Sequence, residues 1–470
     1  MRKQILKLQC IVLLIYVSFG FGQENPSKVE NLLTFEEYIG FVKTQHPLAK
    51  QAALKLTEGE ATLLKARGGF DPKIEIDYDR KKFKGTEYYD RLNTTFKIPT
   101  YYGIELKANF EENTGAFLDN SQTVPQDGLY SAGISFSLAQ GLLINQRMAD
   151  LKKARFYVQQ TVAERNLLVN NLIFEASKAY FDWVEASSEQ AIYTNFLENA
   201  VIRLKAISQS VALGDKATID SVEAGITVQT RKLELEVALL KKQKAKLAVS
   251  NYLWLDGIPL EIEENIDPKI PKIEILKNVL ALDGITDSSL LMENHPKLNN
   301  LQAKIEALQV DRNLKLNKLL PKVDLQYNFL SQDYDQFENF NTANYKAYVN
   351  VSVPLFLRKE RGDLKLADFK LNDATFERDA TRLELKNKVV AIQQEIISLE
   401  RQIDLINNIV NDYEKLVYAE KRKFELGESS LFLINSREQK LIDSQLKENS
   451  IYIKNLNAIA NLFNALGKNY

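Results

Sequence analysis

The chain has 470 residues, more than one ordinary core can hold, so we expect two or three domains. It has 61 basic and 62 acidic residues, and this balance argues against a nucleic-acid-binding protein, whose charge would be basic. Two histidines and one cysteine limit thiol and metal chemistry, and we find no phosphate loop, dinucleotide fingerprint or Ser-His-Asp set. We predict no enzyme, no cofactor and no metal site.

Residues 1–22 are typical of a secretory signal peptide. Basic residues at positions 2, 3 and 7 precede an apolar run at 10–19, and small residues follow at the cleavage site. Cys10 would leave with this segment. Since no later stretch offers about 18 uncharged apolar residues, we expect an exported protein without transmembrane helices.

The pattern of the next segment, 23–255, predicts one folding unit. A capping box at Thr34 and Glu37 predicts a helix that continues through Pro47 to about Arg67. Strands with alternating apolar residues follow at about 72–140, as in "KIEIDYD" and "GISFSL". A helical hairpin then covers about 141–255, with coiled-coil-like apolar spacing and a turn at Gly214.

A second copy of this unit follows. "QHPLAK" and "NHPKLN" place His46 and His295 249 positions apart, and Tyr78 and Tyr327 have the same separation. Further on, "GDKATID" at 214–220 matches "GESSLFL" at 427–433 with an offset of 213. The sequence therefore predicts a duplication.

The duplication sets the remaining boundaries. The second repeat covers 287–470, with strands at about 321–356 and a helical hairpin at about 359–467. A linker rich in proline and glycine, 256–286, separates the copies near the mid-height of the helices. The smaller second offset means that the first copy holds 36 extra residues before position 150, either a longer surface loop or an added hairpin. Within them, "KKFKGTEYYDR" at 81–91 suits an aromatic rim or an ordinary hairpin tip.

The lengths of the helices suggest how they pack. In each copy the first and return helices together are about as long as the long helix between them, so two short helices would stack end to end beside one long helix. Each copy has at least two strands, and about four strands cannot close a membrane barrel by themselves. Pairing between chains would resolve this, giving a small barrel in a membrane and a helical tube about 100 Å long in water.

In this arrangement the sequence resembles the TolC-type outer membrane efflux proteins over nearly all of 34–467. The resemblance is carried by the two His-Pro helix starts, the helix-to-strand passages "KARGGFDPKIEIDY" and "LNKLLPKVDLQY", the passage "VSVPLFLRKERGDLKLAD", and the turns "LGDKATIDSVEA" and "LGESSLFLINSRE". The first copy departs from the pattern, since "SFSLAQGLL" stands where the second copy has "VPLF".

The resemblance implies a mainly α fold with a small β part: a trimeric α-helical periplasmic barrel joined to a shared, twelve-stranded transmembrane β-barrel. It further implies an outer-membrane exit duct of a tripartite efflux or type I secretion system. The implied partners are two further copies, a periplasmic adaptor, an inner-membrane transporter and outer-membrane lipid, with no nucleic acid. A periplasmic coiled-coil adaptor or scaffold without a membrane barrel is the alternative.

The resemblance also suggests site residues. The turns at Gly214-Asp215 and Gly427-Glu428 would form the periplasmic tip, where the adaptor docks and the channel opens. Asp412 and Glu420 are candidates for a lumen gate. The alternative is that these acidic residues have no special role, because they are favourable near the start of any helix. For Asp412 and Glu420 in particular, the sequence favours a solvated helix face over a gate.

The two histidines have a similar pair of interpretations. His46 and His295 could bind a metal, but zinc needs three or four ligands and no cysteine or third histidine accompanies them. We expect instead that each is a polar residue placed before a helix-starting proline.

Overall fold

The computed structural model describes residues 31–283, 294–334 and 341–468. The predicted signal peptide 1–22 lies outside these ranges, as do the last three residues of the predicted linker and the predicted start of the second repeat at 287. Within the described ranges helices dominate and strands form a smaller part, so the mainly α fold class is confirmed. No helix in these ranges has the length and apolar character needed to cross a membrane.

Over residues 31–250, the described part of the first repeat contains four α-helices and five strands. They are β1 (Leu32–Leu33), α1 (Phe35–Gln45), α2 (Pro47–Arg67), β2 (Lys73–Phe83), β3 (Thr86–Pro99), β4 (Ile104–Thr114), β5 (Leu129–Ala139), α3 (Gln146–Ala212) and α4 (Thr218–Ser250). A short 3-10 turn, Gly68–Phe70, joins α2 to β2.

The linker and second repeat complete the chain. The first repeat ends with β6 (Trp254–Leu255), and the linker contains β7 (Ile258–Pro259), β8 (Asp267–Pro268) and α5 (Ile273–Val279). The second repeat contains α6 (Pro296–Asn317), β9 (Lys322–Ser331), β10 (Tyr345–Ser352), α7 (Arg358–Glu425) and α8 (Leu431–Leu466).

The first helix corrects one prediction. The capping box of Thr34 and Glu37 is present, but the helix does not continue through Pro47. The chain is extended at His46, with ψ of 135°, and α2 starts afresh at the proline. The reason is steric, because the proline ring disfavours helical geometry in the residue before it.

The two long helices organise the body of the molecule. The helices α3 and α7 have 67 and 68 residues, and each is about 100 Å long at 1.5 Å per residue. Both α2 and α4 pack against α3, and both α6 and α8 pack against α7. The helices α2, α3, α6 and α7 also lie side by side in that order, through contacts of each with the next. Two shorter helices therefore run beside each long one.

The largest core lies at mid-height, and we call it the equatorial core. Here β1 pairs in parallel with β8 of the linker, which brings the start of the described chain onto α3. Trp183, Tyr180 and Phe181 of α3 are fully buried beside Tyr38 of α1 and Phe463 of α8. The Tyr180 hydroxyl lies 2.7 and 2.8 Å from the carbonyl oxygens of Leu33 and Lys269. The linker therefore packs against helices of both repeats and holds them together in this core.

The six longer strands, β2 to β5, β9 and β10, form one antiparallel sheet at the end of the body away from the two helical turns. Its order is β10-β9-β5-β4-β3-β2, so the chain contributes six strands where about four were expected. The 36 extra residues account for the difference, because they form the added hairpin β3–β4. Residues 81–91 form the tip of the β2–β3 hairpin, in which Lys84 and Gly85, both with positive φ, make the two-residue turn.

Candidate functional site

The two faces of the six-stranded sheet differ in polarity from edge to edge. One line of direct cross-strand partners, read from β2 to β10, is Ile74, Phe96, Ala108, Ala132, Phe329 and Tyr345. The neighbouring line, on the opposite face, is Lys73, Lys97, Lys107, Gly133, Asn328 and Lys346. Because side chains alternate between faces along a strand, one face is apolar and the other polar on every strand.

The apolar face is open to its surroundings. Ile74 and Ile76 of β2 are 68% and 66% exposed, and Val349 and Val351 of β10 are 64% and 61% exposed. A face of this size would be an aggregation hazard in water, but it suits contact with lipid.

Aromatic residues lie in neighbouring registers of this apolar face on four of the six strands. The Phe110 and Tyr130 rings lie 4.8 Å apart, and the Tyr327 ring lies 5.0 Å from Phe329 and 5.4 Å from Tyr345. Such a row is typical of the lipid–water interface.

The polar face is concave. Lys346 Nζ of β10 lies 3.5 Å from Glu111 Oε1 of β4, although two strands separate β10 from β4 in the sheet. At the bend, a Cβ on Gly133 would lie 2.0 Å from the carbonyl oxygen of Tyr327, so only glycine fits. The curvature places the polar residues inside and the apolar residues outside.

At the opposite end of the body lie the two helical turns, which we call the tip. They are the same structure twice. In the first, Gly214 has φ of +85° and its N–H donates to Val211, while Asp215 N–H donates to Ser210. In the second, Gly427 has φ of +78°, with donation from Gly427 to Phe424 and from Glu428 to Lys423. Both are Schellman motifs, in which glycine relieves the strain of a left-handed residue.

A leucine precedes each glycine and points into open space. Leu213 is 78% exposed and Leu426 is 71% exposed, at positions related by the 213-residue offset. The following acidic residues, Asp215 and Glu428, are exposed as well. Each turn therefore presents an apolar side chain beside a carboxylate.

The two gate candidates from the sequence occupy different environments. Asp412 is exposed and forms an ion pair of 3.1 Å with Lys415, one turn along the same helix. Glu420 is buried and accepts a hydrogen bond of 2.5 Å from Ser429 Oγ, which ties α7 to the turn before α8. The structure does not bring these two carboxylates together.

Among the described residues of the tip, the most buried charge is Glu438 of α8, which is 1% exposed and is not among the predicted site residues. It forms an ion pair with Arg203 of α3, and Lys421 Nζ of α7 lies 3.4 Å from it. Arg203 also donates to Asn435, which in turn donates to Glu223 of α4 over 3.4 Å. This cluster, which we call the tip ion-pair cluster, links all four helices of the two hairpins.

A signal for Glu438 exists in hindsight. It lies three or four residues from Ile434, Leu441 and Ile442, the spacing that marks a buried helix face. A charge on such a stripe is retained only when it has partners, because burying an unpaired charge is costly.

The histidines are helix caps, as their positions before proline suggested. His46 Nδ1 accepts from Leu48 N–H and His295 Nδ1 from Lys297 N–H, each over 3.1 Å. Burial lowers the pKa of His46 and lowers that of His295 to about 4, where nearby Lys297 acts in the same direction. No group of three or more potential metal ligands occurs among the described residues.

Solved structures with the same fold are outer-membrane channels. The Campylobacter jejuni CmeC outer membrane channel matches with a TM-score of 0.67 at 14% identity, over 93% of this chain and 86% of that one. The open state of the Neisseria gonorrhoeae MtrE outer membrane channel gives 0.65 at 12% identity, over 92% and 88%. The outer membrane protein VceC from Vibrio cholerae gives 0.64 at 13% identity, over 92% and 95%.

These likenesses show the fold, which the chain shares with these outer-membrane proteins over nearly its whole described length. By sequence, residues 288–468 match the family described as outer membrane efflux protein. The resemblance to the TolC-type efflux proteins is thus confirmed. No curated protein has a matching sequence.

Proposed function

We propose that this protein is the outer-membrane exit duct of a tripartite efflux or secretion system. One observation carries the proposal: a curved sheet, apolar outside and polar inside, stands at the end of a helical body about 100 Å long. The sheet suits a lipid bilayer and the body suits the periplasm, so the chain would line a path from one to the other.

A single copy supplies only part of a wall, because its sheet has two open edges, β2 and β10. Open edges invite pairing with another chain, and three copies would surround a central lumen. The duct itself performs no chemistry in this proposal.

The tip is the proposed docking and opening end. Leu213 and Leu426 offer two matching apolar contacts, each followed by a carboxylate, to the helical end of a periplasmic adaptor. The tip ion-pair cluster would hold the two hairpins of one copy together. An adaptor that binds the open arrangement better would shift the population towards it.

Membrane fractionation tests the exit duct directly. We expect the full-length chain in the outer-membrane fraction, as an oligomer that resists detergent, and we expect ion conductance in planar bilayers. Deletion in the native host should raise sensitivity to exported compounds. A soluble periplasmic protein without a detergent-resistant oligomer would instead support the adaptor or scaffold alternative.

The docking role has its own test. Leu213→Glu together with Leu426→Glu should abolish cross-linking to the adaptor while the oligomer still forms. The matched control is Leu240→Glu, at a 57% exposed position in α4. Undiminished cross-linking of the tip variant would remove the docking role from these leucines.

A further inference from the structure

The hairpin β3–β4 is inserted at one particular place in the sheet. The four helices that meet the sheet lie side by side in the order α2, α3, α6, α7, and the strands continuous with them are β2, β5, β9 and β10. Those four strands keep the same order, but β3 and β4 lie between β2 and β5. The hairpin therefore separates two strands whose helices pack directly on each other.

The inserted strands have the same two faces as the others. Phe96 of β3 and Leu106 of β4, on the apolar face, are 40% and 45% exposed, close to the 41% of Ile134 on β5. On the polar face, Lys97 forms an ion pair with Glu75 of β2, and Thr95 Oγ1 donates to Asn109 over 2.8 Å. A surface loop lying in water would have no reason to keep an apolar face in register with the neighbouring strands.

The base of the hairpin is built into the start of α3. Asn145, the N-cap of α3, accepts from Met148 N–H over 2.9 Å and donates through its amide to the Tyr101 carbonyl over 3.1 Å. The ion pair of Arg147 with Glu105 and the stacking of Tyr101 on Phe70 join the same junction. The turn between β3 and β4 is thus fixed to the helical body at the level where the other strands begin.

The widths of the two layers also agree. Four helices at about 9 Å spacing occupy about 36 Å. Six strands at about 4.8 Å spacing and about 40° tilt occupy about 38 Å, whereas four strands would occupy only about 25 Å. A six-stranded sheet therefore matches the helical layer below it.

We propose that the β3–β4 hairpin is part of the transmembrane wall, so that three copies close a barrel of eighteen strands. The occupant of each open edge is a second copy of this chain, with β2 of one copy paired to β10 of the next. Eighteen strands differ from the twelve that the family resemblance implies. The inference rests on the proposed function, because it requires a trimer in a membrane.

Tryptophan quenching by brominated lipids tests the inference. Purified oligomers of Phe96→Trp, Leu106→Trp and Ile134→Trp are placed in vesicles of brominated phosphatidylcholine, and the emission of the parent protein is subtracted. We expect the two hairpin variants to be quenched as strongly as the β5 variant. Lys107→Trp, on the polar face of β4, is the matched control and should escape quenching.

The outcomes separate the two proposals. Unquenched emission from Phe96→Trp and Leu106→Trp beside strong quenching of Ile134→Trp would overturn the eighteen-stranded barrel and leave the exit duct intact. Absence of quenching at all three positions would contradict the membrane sheet and therefore the exit duct itself.

Engineered disulfides test the strand order independently. Leu106→Cys with Ile134→Cys joins direct partners on β4 and β5, and peptide mass spectrometry should find this link within one chain. A link between Ile76→Cys and Ile134→Cys would instead place β2 beside β5 and overturn the inference.

For the edges, Ile76→Cys is combined in turn with a cysteine at Ala347, Val349 or Val351. At least one pair should yield covalently linked chains on a non-reducing gel. Failure of all three pairs would overturn the pairing of β2 with β10.

Discussion

The equatorial core and the tip are stabilised in different ways, although the same long helices pass through both. At mid-height, large aromatic side chains such as Trp183, Tyr180 and Phe463 are fully buried, and the linker adds hydrogen bonds. At the tip, the buried apolar cluster is small and consists of Ile207, Ala224 and Leu431. There the tip ion-pair cluster supplies the remaining contacts between the helices. Aromatic packing gives one rigid arrangement, whereas a few contacts and ion pairs permit local opening.

The largest effect should come from the equatorial core. Trp183→Ala removes a fully buried indole and leaves a cavity, so we expect a loss of about 3–5 kcal/mol in the free energy of unfolding. Thermal unfolding of the detergent-solubilised oligomer, followed by circular dichroism, measures it. Glu384→Ala, at an exposed position of α7, is the control and should change little. If both variants lost the same free energy of unfolding, the strong aromatic packing assigned to the equatorial core, and with it the contrast with the tip, would be wrong.

The second-largest effect should be a loss of folding stability at acidic pH. Burial lowers the pKa of His295 to about 4, so the folded chain resists a proton that the unfolded chain accepts near pH 6.5. Stability from this group is complete above pH 6.5 and falls as the pH drops towards 4, by about 2 kcal/mol at pH 5. The neighbouring cations Lys297 and Lys388 act in the same direction.

His295→Asn checks this assignment, since asparagine keeps the helix cap but cannot take up a proton. Its melting temperature should fall less between pH 7.5 and pH 5 than that of the parent. His46→Asn, at the equivalent position, is the comparison and should retain most of the pH dependence. An unchanged pH profile in His295→Asn would rule His295 out as its source.

A smaller energetic effect, but a functional one, is expected at the tip. Glu438→Gln keeps the shape of the side chain and removes the charge that Arg203 and Lys421 share. A loss of about 1–2 kcal/mol between the hairpins would favour opening by roughly 5–30-fold. Single-channel recording should show higher conductance or longer openings. Glu428→Gln at the exposed turn is the control, and identical traces from both would remove Glu438 from the opening step.

The turns themselves should show an energetic effect of similar size, confined to the ends of the helices that they join. Gly214→Ala and Gly427→Ala each force a side chain into a left-handed conformation, at a cost of about 1–2 kcal/mol. Since nothing lies within 4 Å of either added Cβ, the two variants should lose the same amount. Hydrogen exchange of the adjacent helix ends would measure it. Unequal losses would show that the two turns are not equivalent.

Much of the fold could be predicted because it is local. The long helices, the two glycine turns, the capping box and the alternation of the strands follow from the residues within each segment. Pro47 suits the first turn of a new helix as well as that of a continuing one, so the break at His46 is decided by the backbone geometry before the proline. Glu438 lies on an apolar stripe, but the partners that allow its burial, Arg203 and Lys421, lie on other helices.

The amino-acid sequence alone shows that the chain is duplicated, that each copy has strands with one apolar face and a long helical hairpin, and where the hairpins turn. Periodicity and glycine placement act over a few residues, so a local pattern reveals them. Three features appear only in the folded molecule: the 36 extra residues enter the sheet between β2 and β5, Asn145 fixes their turn, and Arg203 and Lys421 meet Glu438. These contacts join positions tens to hundreds of residues apart, and long-range packing sets them rather than any local pattern.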